Sequence, residues 1–547
     1  MTGAMAVPGE VAAARWRRRP VALATLCTVL FLTFLDNTVV SVALASIRAD
    51  LHAGVSALQW VVGAYALTFA ALMLTFGMVG DEFGRKKVML AGAGVYCAGA
   101  AMSALAPSIA ILVAGRAVMG LGAAASEPGT LSMIRQLYAE ERSRNRALGI
   151  WAAVSGFSLA LGPVLGGAFV GAWSWRGIFW FDVTFGLAAL AAAALVLPES
   201  ADPQAGRVDV GGTVLGASAL GALVFAVIDG ESAGFTAPGV LALYGVSALA
   251  AAAFARWELR SPHPLLDLRF LRVPRFTAPN VIAACCYFAT FAIFFFTALY
   301  LAEVAGYSGY QVAAIFAPMT VVMIAASLLA GRLTSVIGVR WSMTGGCLVF
   351  AAGLVATNLV LGPHPGYVPL AAALALAGAG LGACVVPVTS SVLAAVPGER
   401  SGMAASATNT SREVGAVAGV VVLGALVDAE LKSGLIARMT QLHLPATLQT
   451  AVVQVVETGG GGALALGGAG GGTGGGGGPG GAGQGGAGQG GGLIGQLLQA
   501  GYSAFETALH DALYLSAALL AGAALLALTT LRGRDQDAPA STSSSRS

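Results

Sequence analysis

Charge is what this sequence has least of. Only 10% of its 547 residues are Asp, Glu, Lys or Arg, against 57% that are hydrophobic. A soluble globule carries about 25% charged residues, so this composition excludes one and points to a polytopic membrane protein. The mean hydropathy of +0.79 agrees. Histidine is nearly as scarce, and its five copies are taken to lie outside the apolar runs. The six cysteines, Cys27, Cys97, Cys285, Cys286, Cys347 and Cys384, all fall in apolar segments without paired spacing. That argues against a disulfide framework and against a metal site, and leaves them as packing residues. No GxxxxGK[ST] loop is present to harness ATP, and no nucleophile–base pair stands out. No catalytic residue, cofactor, metal or nucleic-acid partner is therefore expected. The basic residues are nearly all Arg, and Ala and Gly abound, as in a GC-rich bacterium.

Long apolar runs fill the space that charge leaves. The first, Val21 to Ile47, follows the basic Arg15-Trp-Arg17-Arg18-Arg19. Ala43-Leu-Ala45 mimics a signal cleavage site, but the run is too long for a signal core and carries Asp36, which favours an uncleaved span. Further runs lie near 57–79, 88–106, 109–132, 147–170, 177–197, 210–229, 239–257, 276–301, 311–331, 341–361, 367–395, 402–428 and 509–531, about fourteen in all. With the N-terminus inside, Arg48, Arg176, Lys432 and Arg438 fall outside and Arg116 and Arg412 fall within spans. Roughly 23 of the 29 basic residues then collect on the cytoplasmic side, as the positive-inside rule requires. The even count returns the C-terminus to that side. Trp173, Trp175 and Trp180 stand near an outer boundary, where an aromatic belt would form.

Between the second and third runs lies Gly77-Met-Val-Gly-Asp81-Glu-Phe-Gly84-Arg85-Lys86-Lys87, a charged turn in which glycine permits a sharp reversal. The halves repeat weakly. Gly120-Leu-Gly-Ala123 recurs as Gly380-Leu-Gly-Ala383, Glu141-Arg-Ser143 as Glu399-Arg-Ser401, and the charged turn as Gly331 to Arg340, at offsets of about 254 to 260. Two halves on one plan are a mark of alternating-access transporters. Residues 459–492 are almost wholly Gly with Ala and Gln. They lack the apolar surface to fold alone and make a flexible outer loop. Leu493 to Leu509 is mildly amphipathic and is placed at the outer interface.

A charge inside a bilayer costs roughly 2.5–3.5 kcal/mol and needs a reason. Asp36 falls near the middle of the first span, where a carboxyl can either exchange protons or form a permanent ion pair. Arg116 and Glu127 share a face of the fourth span roughly 16 Å apart, so each needs a partner elsewhere. Arg412 and Glu413 are neighbours mid-span and do not face one another; Asn409 shares the Arg412 face. These three are candidates for lining a substrate cavity, and each can also be structural. Gly162, Pro163, Gly166 and Gly167 crowd the fifth span, where small residues let helices approach and Pro bends one.

These pieces together resemble the fourteen-span drug:proton antiporters of the major facilitator superfamily, over nearly the whole chain. Gly77, Asp81, Gly84, Arg85 and Lys86 match the loop motif that latches the cytoplasmic gate, with Glu82 where Arg is usual. Leu35-Asp36-Asn-Thr38-Val-Val-Ser-Val-Ala-Leu44 matches the first-span motif, whose Asp is a proton-coupling candidate; Ala45 stands in place of Pro. Arg116 and Gly120 match the fourth-span motif implicated in proton transfer, with Met119 for Gln. Gly162, Pro163, Gly166 and Gly167 match the motif of antiporters rather than uptake members. Trp175-Arg176-Gly-Ile-Phe179 is similar to the family as well, with Asp182 where Asn is usual.

The resemblance implies an all-α integral membrane protein with the major facilitator fold, two six-helix bundles plus an extra pair. Its parts are a cytoplasmic N-terminus over 1–20, an N-terminal bundle over 21–200 and an extra hairpin over 205–260. A C-terminal bundle over 265–535 holds a Gly-rich outer loop at 432–505, and a disordered tail covers 536–547. The expected function is proton-coupled efflux of a drug or antibiotic across the bacterial inner membrane, both termini cytoplasmic, driven by the proton gradient. Asp36, Arg116 and Glu127 are the proton-coupling candidates. A proton-linked uptake carrier and a non-transporting sensor remain as alternatives.

Overall fold

The computed structural model describes residues 8–138, 140–200, 208–261, 264–362, 365–396, 401–443, 445, 449 and 489–531. Among them no strand forms, and fourteen helices are long and apolar enough to cross a membrane. A bilayer has no water to satisfy a backbone, so each span must close its own hydrogen bonds. The helices are α1 (Pro8–Leu51), α2 (Val55–Phe83), α3 (Arg85–Ala104), α4 (Ile109–Leu137), α5 (Glu141–Ala172), α6 (Arg176–Val196) and α7 (Val210–Ala233). They continue as α8 (Pro238–Glu258), α9 (Pro274–Glu303), α10 (Gly309–Ile337), α11 (Val339–Val360), α12 (Tyr367–Ala394), α13 (Ser401–Gln441) and α14 (Gln489–Thr530). Each expected apolar run lies on one of them.

α1 packs on α4, α5 and α6, and α4 packs on α2 and α3. A second group joins α9 to α13 and α14, and α12 to α10 and α11. The two groups meet along α2–α13 and α5–α10. The α7–α8 hairpin lies at the first of these seams, where α7 touches both α2 and α13. The Trp60 and Phe225 rings, 4.5 Å apart, fasten it to α2.

The internal repeat reappears as geometry. A single glycine of positive φ joins α2 to α3 at Gly84 (109°) and α10 to α11 at Gly338 (85°). Only glycine adopts these turns without strain. A Cβ on Gly122 would strike Tyr96, and one on Gly380 would strike Phe350. Gly120 faces α2 just as Gly378 faces α10, so packing aligns the two glycine motifs two residues out of the register that their letters suggest.

Several expectations change. α13 continues to Gln441 and α14 begins at Gln489, so both ends of the interval taken as a 432–505 loop are helical. Leu493 to Leu509 is not a separate interfacial segment but the first part of α14. Ala504 lies against Gly434, and Gly501 against Leu431 and Leu435, because small residues give α13 a backbone surface to pack on. His510 lies within α14, beside Asn358, rather than outside the spans. Of the three belt tryptophans, Trp173 and Trp180 are exposed, whereas Trp175 is buried and donates 3.0 Å to Asp50. The segment taken as the N-terminus is helical from Pro8. Most of the Gly-rich stretch, Glu399 and the tail over 536–547 lie outside the described residues.

Candidate functional site

Asp36 on α1 and Arg116 on α4 are both fully buried, and they form an ion pair. Arg116 Nη1 donates to Asp36 Oδ2, while Nε donates 2.9 Å to the Val61 carbonyl of α2. The guanidinium lies 4.6 Å from the centre of the Tyr65 ring, and Tyr65 in turn donates 3.0 Å to the Thr33 carbonyl. Asp36 Oδ1 and Arg116 Nη2 have no partner. A buried pair has to overcome two desolvation penalties and does so only with full hydrogen bonding. This one falls short of that, since each partner keeps one buried polar atom unpaired.

Glu127 and Arg116 do not pair, as their spacing requires. Glu127 Oε1 instead accepts 2.6 Å from Asn409 Nδ2 on α13, and its Oε2 lies 3.4 Å from the Thr33 hydroxyl. Next to Asp36, Asn37 donates 3.0 Å to Glu413 Oε1, also on α13. Arg412 reaches away from Glu413, donating 2.7 Å to Thr389 and 3.2 Å to Asn409 Oδ1. Its guanidinium lies 5.6 Å from the Tyr287 ring centre, and with Tyr287, Cys286 and Cys384 it lines a small cavity. Glu127, Asn409 and Glu413 thus come together at the seam between the two helical groups, while Arg412 points into the second group. Asp36 and Arg116 lie wholly within one group, one residue along α1 from Asn37.

The charged turn is braced by its neighbours. Arg85 pairs with Asp81 at 2.7 Å, Arg85 N–H donates 2.8 Å to the Ser200 carbonyl, and Lys86 Nζ donates 2.7 Å to the Ala194 carbonyl. Gly84 sits so close to Glu199 that an added Cβ would lie 2.8 Å from Oε1. Glu82, in the place of the motif's Arg, accepts 3.2 Å from Val208 N–H at the entry to α7, which ties the turn to the extra hairpin. Gly77 lies between Ser406 of α13 and Pro128 of α4.

The glycines of α5 serve two faces. Gly162 and Gly166 sit against Thr38 and Val39 of α1, whereas Gly167 meets Gly309 and Ala313 of α10 across the seam. Pro163 has no N–H for the Leu159 carbonyl one turn back, and the Thr38 hydroxyl donates to that carbonyl at 2.9 Å. Gly415 and Gly419 likewise bring α13 onto α9, while Gly424 faces Gln59 of α2.

A family model, the Major Facilitator Superfamily, matches residues 26–420. The chain belongs to the Major Facilitator Superfamily. It is 32% identical over 406 residues to Multidrug resistance protein Stp of Mycobacterium tuberculosis (strain CDC 1551 / Oshkosh), covering 74% of this chain and 75% of the relative. To a Methylenomycin A resistance protein of Streptomyces coelicolor it is 32% identical over 409 residues, covering 75% and 86%. Multidrug efflux pump LfrA of Mycolicibacterium smegmatis is 30% identical over 413 residues, covering 76% and 82%. Among solved structures, a bacterial homolog of the human lysosomal transporter Spinster, inward-facing and unoccupied, superposes with a TM-score of 0.58 at 17% identity, covering 93% and 96%. The two helical groups and their α2–α13 and α5–α10 seams are this superfamily member's version of that fold.

Sequence reasoning missed three constellations of the superfamily member. Cys286, Cys347 and Cys384, separated along the chain, place their Sγ atoms within 4.8 Å of one another, with Cys347 and Cys384 at 3.8 Å. No sequence spacing announces them, because three helices supply one each. Arg176 pairs with Asp50 at 2.5 Å and donates 3.1 Å to the Ala106 carbonyl, joining α1, α6 and the α3–α4 turn. The third is Asp182, fully buried on α6; its departure from the family motif was the available signal.

Proposed function

We propose that this chain exports drugs or antibiotics from the bacterial cytoplasm across the inner membrane, exchanging each for protons. On this reading both termini lie in the cytoplasm, which the gathering of basic residues on one side supports. The observation that carries the reading is the under-bonded Asp36–Arg116 pair buried within the first helical group. Protonating Asp36 removes one charge of the pair, and the freed Arg116 must then find other acceptors. That change midway along α1 reaches the seam through the adjacent Asn37 and its bond to Glu413. The charged turn at Gly84 holds one end of the bundle, and the α5 glycines permit α1 and α10 to slide along α5. The gradient supplies the energy, and no cofactor is needed. The printed names of the relatives support drug or antibiotic cargo. Buried Glu127 and Glu413 at the seam favour cationic amphiphiles, with Arg412 available to an anionic group.

The test is substrate-dependent proton release from energised everted vesicles containing the full chain, with a panel of cationic and neutral antibiotics. Collapse of the pH gradient on adding drug, lost in Asp36→Asn with the protein still folded, is the expected result. Proton movement in the opposite direction would make the chain an uptake carrier. Full exchange in Asp36→Asn would remove Asp36 from the mechanism.

A further inference from the structure

A second carboxyl lies close to the Asp36–Arg116 pair. Asp182 is fully buried on α6, and neither of its oxygens has a hydrogen-bond partner. It stands about 9 Å along the helix from Arg176, at the end of the bundle opposite Gly84. One turn further on, Gly186 is wedged against Cys97 of α3 and Leu32 of α1, so this face of α6 looks onto both helices. The titratable and charged groups whose fields reach Asp182 are Tyr96 and Cys97 from α3, Asp36 from α1 and Arg116 from α4. The Tyr96 hydroxyl is also buried without a partner, and it feels both carboxyls.

Burying a carboxylate ion costs far more than burying the neutral acid unless a counter-charge or several donors hold it, and among the described residues beside Asp182 only the Tyr96 hydroxyl is near enough to donate. Asp36, by contrast, has the Arg116 guanidinium against it. The cluster therefore holds two carboxyls, one permanent cation and room for one proton.

We propose that Asp182 is a second proton-carrying residue, which holds the proton while Asp36 is paired with Arg116 and gives it to Asp36 when that pair opens. The O–H bond on Asp182 breaks and one on Asp36 forms. Arg116 then becomes the counter-ion of the new Asp182 carboxylate, so the charge of the cluster does not change. Tyr96, whose hydroxyl can donate and accept at once, is placed to relay the transfer. The proposal rests on the proton-exchange reading above, but the site makes a claim that can be tested without any transported drug.

The experiment is infrared difference spectroscopy of the full chain in lipid nanodiscs at neutral pH, with carboxyl-13C aspartate separating Asp signals from those of Glu127 and Glu413. The wild type should show a protonated aspartic acid. The signal should persist in Asp36→Asn and vanish in Asp182→Asn, which exchanges a neutral acid for its neutral isostere. In vesicles, Asp182→Asn leaves Asp36 to be protonated directly against Arg116. The pH midpoint of exchange should therefore move to lower pH by about one unit or more, and Asp182→Glu should restore it. A protonated signal that survives Asp182→Asn, or its absence from the folded wild type, overturns the proposal whether or not any drug is transported. Loss of drug exchange with the infrared pattern intact would instead count against the export reading alone.

Discussion

Asn409 on α13 donates to Glu127 on α4 across 2.6 Å, and this bond joins the two helical groups at their seam. Glu127→Gln keeps an acceptor for Asn409 and removes the charge. The variant should fold with an unchanged melting temperature. Its efflux of cationic drugs should fall about tenfold, in line with the loss of one charge-assisted contact, and efflux of neutral drugs much less. Drug accumulation assays with matched cationic and neutral compounds measure this, and an equal loss for both classes would remove Glu127 from cation recognition.

Thr38 replaces the donor that Pro163 withholds from Leu159. Thr38→Val should orphan that buried carbonyl and lower stability by about 1–3 kcal/mol. In a Pro163→Ala background the helix can supply its own N–H, so the same change should cost clearly less. Thermal unfolding of the four proteins of this cycle in detergent decides the matter, and additive effects would show that the two residues act independently.

The α5–α10 seam depends on backbone contact. A Cβ on Gly167 would stand 2.7 Å from that of Ala313, besides meeting the Gly309 carbonyl, whereas a Cβ on Gly149 of the same helix meets nothing within 4 Å. Gly167→Ala should lower stability by about 1–3 kcal/mol through overpacking and reduce transport. Gly149→Ala should leave transport unchanged and raise stability by about 0.5–1 kcal/mol, the gain in helix propensity, which makes it the control for that effect.

Arg116→Ala should be more harmful than losing the pair altogether. It leaves Asp36 buried without its cation, an imbalance worth about 3–5 kcal/mol. The double variant Asp36→Asn with Arg116→Met removes both charges and should melt close to the wild type, while transporting nothing. Unfolding midpoints of the single and double variants check the order.

The apolar runs determined the number of spans by themselves, because a bilayer accepts few segments other than helices long enough to cross it. The loop and span motifs identified the family, and the isolated charges Asp36, Arg116, Glu127, Arg412 and Glu413 stood out since each is costly in lipid. The spacing of Arg116 and Glu127, and the adjacency of Arg412 and Glu413, correctly ruled out direct pairing. What partner each would find was not legible. Asp36 with Arg116, Asn409 with Glu127 and Asn37 with Glu413 are separated by up to 376 positions. Local periodicity carries no information about which helix faces which. The same holds for Cys286, Cys347 and Cys384, and for the α13–α14 packing that turned the ends of a Gly-rich interval into helix. Asp182 is the sharpest case: the sequence marked it as a departure from a motif, and only the packing of α1, α3, α4 and α6 left its carboxyl without a hydrogen-bond partner beside another carboxyl's ion pair.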